Sequence, residues 1–172
     1  MNFAFAVRTC LSKYFSFSGR ASRPEYWWFL LFVVIGSLVF TLLDGLLFRV
    51  DAAVGDSQGT LAPLWQLAMF IPLLAAGGRR LQDAGRPGWY ILLPMLVSLV
   101  SLVGLFLGIF SFGIIEQKVA DPETLRWPAA VLGLGGLFAV AILQLVLTVM
   151  MLWWLTRPSE LGANAYGPAQ SV

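Results

Sequence analysis

Arginine and carboxylate residues gather in two short polar segments, and their types and spacing suggest anion chemistry. Residues 19–29 read G-R-A-S-R-P-E-Y-W-W-F, and residues 79–90 read R-R-L-Q-D-A-G-R-P-G-W-Y. A guanidinium fork binds a carboxylate or a phosphate through two parallel hydrogen bonds. The segments therefore predict either a structural cluster of ion pairs or a site for an anionic ligand or partner. The candidate residues are Arg20, Arg23, Glu25, Arg79, Arg80, Asp83 and Arg86.

Catalytic residues and metal ligands are not predicted from this chain. Its 172 residues include no histidine and a single cysteine, Cys10, so the commonest general base is missing and no spacing suits a metal ion. Catalysis by Asp83 would need a nucleophile or a second catalytic group beside it, and the sequence places none there. We therefore predict a protein that is not an enzyme and has no cofactor and no metal site.

Asp44 is the ionisable residue that lies well inside an apolar run. A carboxylate inside a membrane-spanning segment usually marks a path for ions or protons, which suggests a subunit of a small transporter or channel as an alternative function. Because Phe48 and Arg49 follow closely, the carboxylate could instead reach the outer interface or pair with Arg49. Both interpretations stay open at this point.

Four long apolar runs carry these polar residues. Hydrophobic residues make up 59% of the chain and charged residues 12%, about half the charged share of a soluble domain. A helix of about 20 apolar residues crosses the hydrocarbon core of a membrane. The sequence therefore predicts an all-α integral membrane protein, a bundle of four transmembrane helices forming a single domain over residues 1–172. The predicted spans are 26–48, 61–78, 89–115 and 128–156, with the second helix continuing as a polar extension as far as Gly85.

The N-terminal segment, residues 1–25, has apolar residues at helical spacing. Phe3, Val7, Cys10 and Tyr14 recur on one face, which is typical of a short amphipathic helix lying at the membrane interface. An apolar tail packed on the bundle is the alternative. Ser22 begins a capping box with Glu25 three residues later, which indicates the start of the first span.

Tryptophan and the basic residues indicate where the helices end and how they face the membrane. The indole ring prefers the boundary between hydrocarbon and headgroups, and every tryptophan flanks an apolar run. Lys and Arg number eight in residues 1–25, 79–88 and 157–172, against three in the other loops. The excess predicts that both termini, including the tail 157–172, are cytoplasmic. The predicted interfacial anchors are Trp27, Trp28, Trp65, Trp89, Trp127, Trp153 and Trp154.

Three motifs resemble a known family. The F-S-G-R-A-S-R-P-E-Y-W run of residues 17–27, the R-R-L-x-D-x-G-R-x-G-W run of residues 79–89 and the tail P-S-E-L-G-A-N-A-Y-G-P are similar to those of the YhaH-like small inner-membrane proteins of bacteria, a domain of unknown function. The resemblance covers residues 15–168. It implies a multi-span protein of the bacterial inner membrane with no established activity. Similar proteins usually carry histidine at the position of Gln82, so chemistry by that histidine is not implied here.

These features together predict a non-enzymatic membrane module. We expect it to bind anionic lipid headgroups, or to dock a protein partner, through its cytoplasmic arginines and carboxylates. The formal net charge of +2 is too small to argue for nucleic acid. Small-residue steps at Gly104 and Gly108 and at Gly133 and Gly136 favour close helix packing within the bundle, with a homo-oligomer as the alternative.

Overall fold

Helices account for nearly all the secondary structure of the computed structural model, which describes residues 2–47, 59–116 and 123–168. No β-strand forms within these ranges, so the all-α prediction is confirmed. A 3-10 turn at Gly88–Leu92 precedes the fourth helix. The α-helices are α1 (Phe3–Ser12), α2 (Arg23–Leu47), α3 (Leu61–Asp83), α4 (Leu93–Glu116) and α5 (Glu123–Thr156).

Four of these helices are long and apolar enough to cross a membrane. The shortest, α3, has 23 residues and is therefore about 35 Å long, more than the roughly 30 Å of a hydrocarbon core. No residue of α4 is buried, and most of its apolar side chains are exposed, as expected of a helix whose solvent is lipid. The prediction of four candidate spans and one short N-terminal helix is confirmed.

The helix ends differ from the predicted spans in ways that follow from local chemistry. α2 begins at Arg23, where Ser22 Oγ accepts the N–H of Glu25 at 3.4 Å. The third apolar run begins as a 3-10 turn, and Pro94 then lies in the first turn of α4, where its missing N–H removes no helical hydrogen bond. α5 begins at Glu123, ahead of the predicted start at 128, because its first turn is polar and carries no apolar signal.

The chain divides into two compact units, Met1–Ile91 with Trp154–Val172 and Leu92–Trp153. The first unit contains α1, α2 and α3 and both polar segments. In the second unit, Gln144 Nε2 of α5 donates to the carbonyl of Pro94 in α4 at 3.3 Å. Among the described residues, no heavy atom lies within 4 Å of where a Cβ would stand on the glycines of the two small-residue steps. Close helix packing at these steps stays a prediction.

α1 packs on both α2 and α3. Ala6 and Cys10 are buried, and the ring of Phe3 meets the edge of Trp28 with centroids 5.9 Å apart. The hydroxyl of Tyr14, which follows the helix, donates to a backbone carbonyl of α3. The apolar stripe identified by its spacing is therefore the face that α1 turns toward the other helices.

Asp44 caps α3 from the neighbouring helix α2. Its Oδ1 accepts the N–H of Leu61 at 3.0 Å, and its Oδ2 accepts the N–H of Ala62 at 2.8 Å. The first N–H groups of a helix have no partner within it, and Thr60 at the N-cap supplies no side-chain bond. A carboxylate at this point also complements the positive end of the helix dipole. Pairing with Arg49 lies outside the described residues.

Trp65 is locked against the middle of α2. Its indole N–H donates to the carbonyl of Val33 at 3.1 Å, and a Cβ at Gly36 would stand 2.2 Å from the indole ring. Phe32 and Phe40 flank the ring with centroids at 5.4 and 5.0 Å. Trp65 therefore contributes to the contact between α2 and α3. The interfacial position of Trp65 and of the other six tryptophans stays a prediction.

Replacing Asp44 by alanine should lower the free energy of unfolding by about 1 kcal/mol, because two N–H groups of α3 lose their acceptors. Asp44→Asn keeps one acceptor oxygen and should lose less. Unfolding of the detergent-solubilised protein by SDS measures the stability, and hydrogen exchange at Leu61 and Ala62 should speed up in the alanine variant. Unchanged stability and exchange, together with an altered proton flux in proteoliposomes, would contradict the capping role.

Candidate functional site

Three arginines and two carboxylates form a buried cluster where α2 begins and α3 ends. Arg79 Nη1 lies 2.9 Å from Glu25 Oε1. Arg20 Nε lies 2.8 Å from Asp83 Oδ1, and Arg80 Nη1 lies 2.5 Å from Asp83 Oδ2. Each of these five side chains is at most 3% exposed. The structure thus brings together the two segments in which sequence analysis placed candidate residues, and it pairs their opposite charges.

The end of α3 is shaped by one glycine. Gly85 has a φ of +71°, a conformation that favours glycine. The N–H of Arg86 then bonds to the carbonyl of Leu81 at 2.9 Å, the pattern of a Schellman motif. The sequence prediction that Gly85 ends the helix is confirmed. Because Asp83 is the last residue of α3, its carboxylate can be reached both from Arg80 one turn earlier and from Arg20 in the other segment.

The segment after α5 is held on this cluster, and sequence analysis missed that contact. Arg20 Nη1 donates to the carbonyl of Gly162 at 2.6 Å, and its Nη2 donates to the carbonyl of Glu160 at 2.7 Å. The N–H of Glu160 in turn donates to the carbonyl of Asp83 at 2.9 Å, and Ser159 Oγ donates to Asp83 Oδ2. The tail was recognised as polar, but carbonyl acceptors leave no signature in a sequence.

Arg80 also holds backbone at the end of α5. Its Nε donates to the carbonyl of Leu155 at 3.0 Å, and its Nη2 donates to the carbonyl of Arg157. Asn164 Nδ2 extends the contact by donating to the carbonyl of Gln82 at 2.9 Å. The buried guanidinium groups are therefore engaged by internal carboxylates and internal carbonyls, as buried charges require.

Gln82 lies next to Asp83 in the last turn of α3 and is buried. Its Nε2 donates to the carbonyl of Phe17 at 3.0 Å, which ties the backbone just before Arg20 to α3. Its Oε1 is buried and has no hydrogen-bond partner among the described residues. Within that same part of the chain, no group of three His, Cys, Asp or Glu side chains is placed to hold a metal ion.

Cys10 lies against the Arg79–Glu25 pair. Its Sγ is 3.7 Å from Glu25 Oε1 and 4.0 Å from Arg79 Nη2. Burial, followed by the negative charge of Glu25, raises the pKa of the Cys10 thiol from 9.0 to about 12, although the guanidinium of Arg79 opposes the change. The thiol is therefore neutral at physiological pH and is a poor nucleophile.

Arg23 and Arg86 lie at the edge of the cluster and are half-buried. Arg23 Nε donates to the carbonyl of Arg157 at 2.7 Å. The guanidinium of Arg86 lies 5.2 Å from the ring centroid of Trp154, which is buried and stacks on Tyr90 at 5.4 Å. No carboxylate among the described residues forms a salt bridge with either arginine. Trp154, a predicted interfacial anchor, is thus part of the cluster.

Positive charge exceeds negative charge in this region. Among the described residues of this region, six arginines stand against three carboxylates, which leaves a formal excess of three positive charges. The buried arginines have their carboxylates beside them, so much of the excess lies with the arginines at the edge. The six arginines are Arg20, Arg23, Arg79, Arg80, Arg86 and Arg157, and the three carboxylates are Glu25, Asp83 and Glu160.

Comparison with known proteins identifies the family. The family model described as "Protein of unknown function (DUF805)" matches residues 14–168. The chain belongs to this family. The DUF805 match includes both polar segments and the tail that they hold, so the buried cluster lies wholly within the family region.

Two relatives of this DUF805 chain are proteins of Escherichia coli (strain K12). It is 39% identical to "Inner membrane protein YhaH" over 83 residues, which are 48% of this chain and 66% of YhaH. It is 38% identical to "Inner membrane protein YhaI" over 96 residues, 54% of this chain and 75% of YhaI. The match to YhaH thus covers just under two thirds of that relative. No solved structure matches the chain.

At pH 8, Cys10 in the folded protein should react with iodoacetamide roughly a thousandfold more slowly than in the SDS-unfolded chain, because the thiolate is the reactive form. An exposed reporter, Phe15→Cys in a Cys10→Ser background, should react quickly in both states. Since folding raises the pKa of Cys10 from 9.0 to about 12, its contribution to stability is complete below pH 9 and is lost as the pH rises toward 12. Equal alkylation rates for folded and unfolded Cys10 would refute the burial.

Asp83→Asn should release the tail, because Arg20 and Arg80 would lose the charge that they share. Breaking a buried ion pair costs about 3–5 kcal/mol, and the bonds of Ser159 and Glu160 to residue 83 should weaken with it. Hydrogen exchange at the Glu160 amide should rise at least tenfold. Glu160→Gln is the matched control, because that carboxylate is exposed and the Glu160 backbone keeps its contacts. Equal exchange in the two variants would show that Asp83 does not anchor the tail.

Proposed function

We propose that this protein is a non-enzymatic module of the inner membrane that binds anionic lipid headgroups on its cytoplasmic side. The observation that carries the proposal is the excess of positive charge at the arginine cluster. Arg23 and Arg86, at the edge of that cluster, form no salt bridge with a described carboxylate. Phosphate groups of lipids are the simplest anions available to arginines at a helix end beside interfacial tryptophans.

The buried arginines have a different role in this proposal. Arg20, Arg79 and Arg80 are held by internal acceptors, and turning one of them toward a headgroup would break a buried ion pair with Asp83 or Glu25. That loss costs about 3–5 kcal/mol, more than the roughly 1 kcal/mol that one arginine gains at an anionic surface. These three arginines therefore stabilise the fold, and the arginines at the edge of the cluster bind the lipid headgroups.

Arg8 in α1 and Lys13 directly after it provide two further cations. Arg8 and Lys13 are exposed, and α1 packs on α2 and α3, whose ends contain the cluster. Four cations at roughly 1 kcal/mol each would favour an anionic surface by about 4 kcal/mol if their effects were additive. Because these side chains reach solvent, the attraction should weaken as salt is added.

The cytoplasmic orientation rests on the distribution of Lys and Arg between alternate loops. Eight basic residues occur in the three segments that belong with the cluster, against three elsewhere. Anionic lipids give the cytoplasmic leaflet its negative surface potential. The proposed binding surface and the proposed ligand would therefore be on the same side of the membrane.

Arg23→Gln combined with Arg86→Gln should reduce the enrichment of phosphatidylglycerol around the protein by up to roughly 30-fold, as expected for two arginines. Native mass spectrometry of protein taken from mixed phosphatidylcholine and phosphatidylglycerol vesicles measures the bound lipid. The matched control is Arg49→Gln with Lys118→Gln, which removes two charges predicted on the opposite side. Unchanged enrichment in the first variant, or an equal fall in the control, would overturn the proposal. Loss of an acidic protein partner with unchanged lipid would favour protein docking instead.

A further inference from the structure

An apolar groove runs along α2 directly after Arg23. Its volume is about 410 Å³, and every residue that lines it belongs to the first half of α2. None of the lining side chains is charged, and the two indole N–H groups are the only polar side-chain atoms among them. The lining residues are Pro24, Trp27, Trp28, Leu30, Leu31 and Val34.

The spacing along α2 places Arg23 at the mouth of this groove. Trp27, Leu30 and Val34 follow Arg23 at intervals of four, seven and eleven residues, so all four lie on one face of the helix. Eleven residues rise by about 16 Å, close to half of a hydrocarbon core about 30 Å thick. The stripe therefore extends from headgroup depth to the middle of the membrane, which is the depth of one lipid leaflet.

Arg23 is held in place but retains donors for a ligand. Its Nε donates to the carbonyl of Arg157, which Arg80 also engages, so the guanidinium is tied to the buried cluster. A guanidinium carries five N–H donors. In the part of the chain that is described, the Nη atoms of Arg23 have no hydrogen-bond partner. Their parallel N–H groups match two oxygens of a phosphate.

We propose that the α2 groove and Arg23 together form a site for one anionic phospholipid, with an acyl chain in the groove and the phosphate on Arg23. This inference rests on the proposed function, because it assigns part of the headgroup binding to a defined site. A peptide fits the groove less well, since it would bring backbone N–H and C=O groups against a lining that offers almost no partner. The charge of Arg23 selects an anionic headgroup over a zwitterionic one.

Val34→Trp tests the groove separately from the charge. Val34 is 55% exposed, so a larger side chain can be accommodated without repacking the protein, and its indole would occupy the inner end of the groove. The matched control is Leu42→Trp, at a position on α2 that is 59% exposed and outside the groove. Arg23→Gln removes the phosphate contact, and Arg23→Lys keeps the charge but not the fork.

Native mass spectrometry measures the ligand bound to each variant. Each variant is titrated with long-chain phosphatidylglycerol, with short-chain phosphatidylglycerol and with inorganic phosphate, so that a lipid ligand is distinguished from free phosphate. Val34→Trp should weaken binding of the long-chain lipid at least tenfold and leave short-chain binding nearly unchanged. Arg23→Gln should weaken both lipids, Arg23→Lys should recover part of the loss, and Leu42→Trp should match the wild type. Inorganic phosphate at millimolar concentration should not displace the long-chain lipid.

Other outcomes separate this inference from the proposed function. If Val34→Trp binds the long-chain lipid as the wild type does, while loss of Arg23 and Arg86 reduces the enrichment, the groove site is overturned and headgroup binding stands. Full displacement by inorganic phosphate also overturns the groove, because the site would then recognise phosphate alone. If neither the charge variants nor the groove variant changes lipid binding, both proposals fail.

Discussion

The shared carboxylate of Asp83 is the interaction on which the arginine-rich end of this protein depends. One oxygen pairs with Arg20 and the other with Arg80, and all three side chains are buried. Two guanidinium groups and one carboxylate would be costly to desolvate without further acceptors. Carbonyls in the last turn of α5 and after it supply those acceptors, so the tail stabilises the cluster and the cluster holds the tail.

This arrangement divides arginines of one sequence cluster into two physical classes. Arg20, Arg79 and Arg80 have internal partners and are withdrawn from solvent, so exchange with an external anion would disrupt the fold. Arg23 and Arg86 are tied to the cluster by single contacts, to a carbonyl and to an aromatic face. They therefore combine a fixed position with unused charge, which is what recognition of an anion requires.

Much of the fold could be predicted from the sequence because apolar length is a strong signal. The spans, the Ser22 cap and the stop at Gly85 each rest on residues that are close together in the chain. The cap of α3 by Asp44, the contact of Trp65 with α2 and the burial of Trp154 join residues from different helices. Residue type alone does not reveal which faces meet, so those roles required the structure. The tail contacts were hidden for a further reason, since backbone carbonyls are common to every residue.

The contact between Arg20 and Gly162 spans 142 positions of the chain. Synthesis at about 5–20 residues per second therefore delays the arrival of that carbonyl by roughly 7–28 s after Arg20 has left the ribosome. During this interval Arg20 lacks its final acceptors, and a hydrated cation at the membrane surface is its favourable state. The same side chain would thus have two successive roles, first as a hydrated cation while the spans insert, and then as a buried hydrogen-bond donor once translation has delivered the last segment.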